Sequence, residues 1–162
     1  IAVNMVAAPE IARLYAAGAH AALTRVLMLT ARVATAAAVP VTLVLWWQGE
    51  LLLRTVFGEP FAQAWAVLAV LCAGELVNAL VGPVGVLLNM TGHERYTVRG
   101  VAFATVVGAG VSAVLIPRWG ALGAACGHAA ALVLRNVLLA VLAWRHTGQH
   151  CLVWVPRRGR RA

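Results

Sequence analysis

The sequence predicts an all-α fold, a polytopic transmembrane helix bundle of four full spans preceded by the end of another, and three observations predict it. Four apolar stretches approach or exceed the roughly 20 residues that a helix needs to cross about 30 Å of hydrocarbon. The composition, 62% hydrophobic and 11% charged, is far from the roughly 45–50% apolar and about 25% charged typical of soluble domains. Arginine, finally, alternates along the chain. From residue 13 onward the segments between apolar stretches hold three (Arg13, Arg25, Arg32), one (Arg54), two (Arg95, Arg99), one (Arg118) and five (Arg145, Arg157, Arg158, Arg160, Arg161). Under the positive-inside rule the first, third and last of these face the cytoplasm, with ten arginines against two outside, so the C-terminus is expected to be cytoplasmic. Arg135 alone lies deep inside a stretch, since Arg32 and Arg99, counted with the segments before them, stand near the starts of theirs.

The elements follow in order. The chain opens at Ile1 on an apolar run to Pro9 that continues as an amphipathic segment over residues 10–17. This reads as the inner end of a preceding span, cut by the boundary of the fragment. A cleaved signal peptide fits poorly, since a basic n-region is missing and the apolar run is too short. The four spans are expected at residues 26–47, 61–90, 98–116 and 122–144. Pro40 should kink the first, and Gly82-Pro83 the second, whose 30 residues would span roughly 45 Å at 1.5 Å per residue. Trp46, Trp47, Phe57, Phe61 and Trp119 fall at the expected outer interface, and Tyr15, Tyr96 and Trp144 at the inner one. Residues 1–147 thus form a transmembrane bundle and residues 148–162 a basic cytoplasmic tail.

Composition also narrows the chemistry. The net charge is +8, yet the arginines gather between apolar spans and in the tail instead of forming a stripe with stacking aromatics, so membrane lipids and not nucleic acid are the expected partner. The chain has no Lys and no Asp, which removes a P-loop lysine, a Schiff-base lysine and any aspartate-based magnesium site. Cys72, Cys126 and Cys151 lack paired spacing, so neither a disulfide framework nor a metal site is indicated, and no cofactor is expected. An enzyme would have few groups to work with.

Polar residues inside the spans carry the functional question. Cys72, Glu75, Asn78, Gly82, Gly85 and Asn89 recur at steps of three or four, which puts them on one face of a continuous helix. A carboxylate at mid-bilayer costs about 2.5–3.5 kcal/mol on insertion scales, so Glu75 should meet a water-filled cavity, a cation or a proton. Two roles are open to it: coupling transport to an ion, or joining Asn78 in hydrogen bonds to neighbouring helices. In the last span Ala124, His128, Ala131 and Arg135 form a second stripe with Asn136 beside it. Arg135 either faces a cavity or snorkels toward the inner interface, about 13 Å along the helix. Gly100, Ala104, Gly108 and Ser112 at steps of four, with Gly123 and Gly127 in the last span, read as small-residue seams. They imply a tightly docked hairpin turning through Pro117-Arg118-Trp119-Gly120.

Four local motifs resemble one family in order and spacing: Ala8-Pro9-Glu10-Ile11-Ala12-Arg13-Leu14-Tyr15, Phe57-Gly58-Glu59-Pro60-Phe61, Leu87-Leu88-Asn89-Met90-Thr91-Gly92-His93-Glu94-Arg95, and Leu115-Ile116-Pro117-Arg118-Trp119-Gly120-Ala121-Leu122-Gly123-Ala124-Ala125. Over residues 3–144 the chain resembles the C-terminal part of bacterial polysaccharide-biosynthesis flippases, the oligosaccharide repeat-unit exporters of the multidrug/oligosaccharidyl-lipid/polysaccharide superfamily. The resemblance implies a bacterial inner-membrane protein of twelve to fourteen helices in two bundles that rock about a central cavity. It implies an undecaprenyl-linked oligosaccharide as substrate and a missing N-terminal bundle as partner, and it implies no enzymatic activity. Within that frame Arg135 is the first candidate for the carrier's pyrophosphate, with His128, Asn136 and Asn78 as further cavity residues and Glu75 as the coupling residue. Arg25, Arg32, Arg95 and Arg99 would stand at the inner mouth, gathering anionic headgroups or setting topology. The alternatives are a multidrug exporter of the same superfamily, a noncatalytic membrane subunit or transporter remnant, and a membrane-embedded polyprenyl-sugar transferase.

Overall fold

The structure, a computed structural model, describes residues 2–148, and the side chains from Ala7 onward. No strand occurs among the described residues, which form six α-helices: α1 (Ala2–Ala16), α2 (His20–Phe57), α3 (Trp65–Val81), α4 (Val84–Met90), α5 (Glu94–Trp119) and α6 (Ala121–Thr147). A 3-10 segment, Glu59–Ala64, leads into α3. Four segments are long and apolar enough to cross a membrane: His20–Phe57, Glu59–Val81, Glu94–Trp119 and Ala121–Thr147, with mean hydropathies of 1.7, 2.0, 1.9 and 1.8 over an 18-residue window of each. The expected all-α bundle is therefore present. The tail expected at residues 148–162, with Cys151 and the last four arginines, lies outside the described residues apart from Gly148.

Each helix differs from its apolar stretch for a physical reason. α2 has 38 residues, about 57 Å at 1.5 Å per residue and well beyond a bilayer's apolar thickness. Hydropathy registers only its apolar middle, whereas the hydrogen-bond ladder runs on at both ends. Arg25 and Arg32, expected in a loop, consequently lie within α2, both exposed. The chain also stays helical through Pro40, whose ring leaves the Ala36 carbonyl without its usual helical donor. The second stretch behaves in the opposite way. It is not one kinked helix of 30 residues but two helices, because Gly82 adopts a positive φ of 78° and Pro83 cannot donate to the ladder. The polar face inferred for a continuous helix therefore ends at Asn78. Asn89 is exposed on the separate α4, and Gly85 packs toward Leu139 and Thr97. Similarly, the hairpin turn is shorter than expected: α5 continues through Pro117 to Trp119, and Gly120 alone, at φ 54°, connects it to α6.

The break at Gly82-Pro83 lets α4 turn into the core. Val84, Leu87 and Leu88 pack with Ile11 and Leu14 of α1, Leu23 and Leu27 of α2, and Leu139 and Ala143 of α6. This cluster draws the end of α1, the start of α2, the α4–α5 corner and the end of α6 to one end of the bundle. Arg13, Arg25, Arg95, Arg99 and Arg145 belong to those segments, while Arg54 and Arg118 belong to the opposite end. At the arginine-rich end Tyr96 stacks on His146, with centroids 4.3 Å apart, and His93 lies 5.1 Å from His146. At the other end Arg54 pairs with Glu59.

α5 and α6 form the closest helix pair. A Cβ at Gly127 would sit 2.7 Å from the Gly108 carbonyl oxygen and 2.8 Å from the Ser112 backbone nitrogen, and one at Gly123 would sit 2.6 Å from the Leu115 carbonyl oxygen. A Cβ at Gly108 would overlap Ala131. The seam expected from the spacing of small residues is thus the surface on which these two helices meet.

Candidate functional site

The candidate site begins with another missing side chain. Gly74 of α3 is buried, and a Cβ there would lie 3.3 Å from Leu132 Cδ2 and 3.4 Å from the Ala129 Cα of α6. Close approach here sets the next turn of α3, with Asn78, against the next turn of α6, with Arg135 and Asn136. The two helices run parallel past each other. Arg135 Nη2 donates to Asn78 Oδ1 at 3.2 Å, Asn136 Nδ2 donates to the same oxygen at 3.1 Å, and Asn78 Nδ2 donates to Glu75 Oε2 at 3.1 Å.

The arrangement dictates the orientation of the Asn78 amide. Arg135 and Asn136 both present donors, so the carbonyl end must face them and the NH2 end must face Glu75, which presents an acceptor. Asn136 is the most enclosed of the four, at 3% exposure. Asn78 and Arg135 are half-buried and Glu75 is exposed. The guanidinium and the carboxylate are joined only through the amide. Among the described residues, the ion pairs are Glu10–Arg13 and Arg54–Glu59, both remote from this junction.

Grooves open on either side of the junction. One of 290 Å³ runs between α5 and α6, with Thr105, Ser112, His128 and Arg135 as its polar lining. It contains hydrogen-bond donors and a fixed cation but no carboxylate. A larger one of 570 Å³ runs between α2 and α3 and contains Glu75, Asn78, Cys72, Thr30 and Thr42 above a floor rich in alanine. At its end toward Arg54, Trp46 Nε1 donates to the Ala69 carbonyl at 3.1 Å, and Trp65 Nε1 donates to the Trp46 carbonyl at 3.3 Å. Gly82 and Pro83 form its other end. No family model, curated protein or solved structure matches the chain.

Of the residues singled out in sequence, Glu75, Asn78, Arg135 and Asn136 meet in one hydrogen-bonded chain. His128 shares the groove of Arg135 but takes no part in that chain. Arg25, Arg32, Arg95 and Arg99 are exposed and do not join the junction. Thr30, Thr42, Thr105 and Ser112 enter the grooves without having been read as site residues. Their signal was spacing: Thr30, Ala34, Ala38 and Thr42 recur at fours, and Thr105 and Ser112 at seven, each set on one helical face. Groups of three or more His, Cys, Asp or Glu able to hold a metal do not occur among the described residues.

Proposed function

We propose that the chain is part of a bacterial inner-membrane flippase that moves undecaprenyl-linked oligosaccharide by alternating access, its arginine-rich end and C-terminus toward the cytoplasm and an N-terminal bundle completing the cavity. The observation that carries the reading is Arg135, a guanidinium held between apolar helices beside a groove lined by donors. A pyrophosphate crossing a membrane loses its hydration, and arginine replaces it with paired N–H donors in a fixed fork. Asn78 accepts one of these donors, leaving the others for an anion. Thr105, Ser112 and His128 extend the donor surface along the groove. The four motifs that resemble repeat-unit flippases support the same substrate class. In this mechanism Glu75 is the coupling residue, and Arg25, Arg32, Arg95 and Arg99 collect anionic headgroups at the inner mouth.

A second reading, multidrug export in the same superfamily, draws on the larger groove. Glu75 is exposed there among neutral side chains, an arrangement suited to an organic cation. Complementation separates the two. The full-length parent is introduced into strains lacking a repeat-unit flippase, with and without Arg135→Ala at equal expression, and surface polysaccharide is scored. Rescue by the parent and loss with Arg135→Ala is the expected result. A well-inserted parent that rescues none of several sugar types, yet confers drug resistance dependent on Glu75, would replace the flippase reading with the second one.

A further inference from the structure

Opposite charges on adjacent helices in a low-dielectric setting attract strongly and ordinarily close into a direct pair. Glu75 and Arg135 do not. Each makes one hydrogen bond to the same amide, on opposite ends of it. We infer that Asn78 is a positioning residue, a spacer that keeps the Glu75 carboxylate and the Arg135 guanidinium from neutralising each other, so that each remains available to a ligand in its own groove. The inference rests on the proposed reading for the identity of the anion, a pyrophosphate, but the spacer itself requires only the geometry.

The side chain at position 78 suits this task by its chemistry. Asparagine carries an acceptor at one end and a donor at the other, a short distance apart. Aspartate would pair with Arg135 and repel Glu75, and alanine would reach neither. Asn136 supplies the second constraint. It is 97% buried and donates to the oxygen that Arg135 also uses, so the amide keeps its orientation when Arg135 turns to an anion. Among the described residues, the ionisable or charged groups toward Glu75 are Arg135 from α6, through Asn78, and Cys72 on its own helix. The groove face of α2 contributes Thr30 and Thr42, which carry no charge. With the amide removed, no side chain of this junction stands between the guanidinium and the carboxylate.

The test uses the full-length parent in lipid nanodiscs and the reaction of phenylglyoxal with arginine, quantified at Arg135 by peptide mass spectrometry. Asn78→Ala is expected to lower the reactivity of Arg135 by about fivefold or more, because Glu75 captures the guanidinium, and Asn78→Ala with Glu75→Gln is expected to bring it back to within about twofold of the unsubstituted chain. A misfolded variant would not be repaired by a second substitution in this way. Unchanged reactivity in Asn78→Ala, or failure of Glu75→Gln to restore it, overturns the spacer. A parallel titration with inorganic pyrophosphate should show the same loss and recovery in affinity. If the reactivity pattern holds and pyrophosphate binds neither the unsubstituted protein nor the variants, the substrate reading fails and the spacer stands.

Discussion

Substituting Gly127 by alanine tests the packing of α5 on α6 with a single methyl group. The new Cβ would lie 2.7 Å from the Gly108 carbonyl oxygen and 2.8 Å from the Ser112 nitrogen, both main-chain atoms that no rotamer change can move. Ordinary carbon–oxygen contacts begin near 3.3 Å, so the helices must separate by roughly 0.6 Å. A radial gap of that size forfeits about a quarter to a half of each contact's attraction along the seam, and overpacking of this kind typically costs about 1–3 kcal/mol. Gly110, on the same helix as Gly108, has nothing within 4 Å of its would-be Cβ. Gly110→Ala should therefore be neutral or stabilising by up to about 1 kcal/mol, the advantage of alanine over glycine inside a helix. Equilibrium unfolding in mixed micelles with rising SDS, followed by tryptophan fluorescence, measures both. Equal stability of the two variants would refute the close approach of these helices.

Asn136→Leu removes one of two donors to Asn78 Oδ1 and should destabilise by about 0.5–1.7 kcal/mol in the same unfolding assay, the range seen for hydrogen bonds between membrane helices. Gly74→Leu should part α3 from α6 and so break the Asn78 junction. A disulfide formed between cysteines engineered at Asn78 and Asn136 in a chain otherwise free of cysteine should then become slower, and an unchanged rate would contradict the role given to Gly74. Topology is checked by single cysteines in that same background: a membrane-impermeant maleimide applied from outside should label Gln63→Cys and spare Glu94→Cys. The opposite pattern would invert the orientation derived from the arginines.

How far the sequence could be read depended on whether a feature is local. Apolar length and the steps of four at Gly100, Ala104, Gly108 and Ser112 are properties of one helix, and they located both the spans and the seam. Gly82-Pro83 was legible as an irregularity, but a kink and a break differ by what α4 finds to bury itself against, and that partner is the distant set of Ile11, Leu23 and Leu139. Glu75 and Asn78 could be placed on one face by spacing alone. That Asn78 meets Arg135 could not, since their alignment depends on where Gly74 lets two helices approach. Arg25 and Arg32 illustrate the converse error, a charged residue taken as the sign of a loop when the helix simply runs past the apolar zone.

The two tryptophans at the Arg54 end of the α2–α3 groove have a mechanical consequence. Trp46 reaches across to the backbone of α3, and Trp65 reaches back to the backbone of Trp46, just where the 3-10 segment already joins the helices covalently. Such double stitching ties the two helices together at that end. At the opposite end α3 stops at Gly82 and the chain turns into the core, where Val84, Leu87 and Leu88 pack on Leu23 and Leu27 of α2, so the groove is tied at both ends and its middle, beside the amide that links carboxylate to guanidinium, is the stretch that neither tie covers.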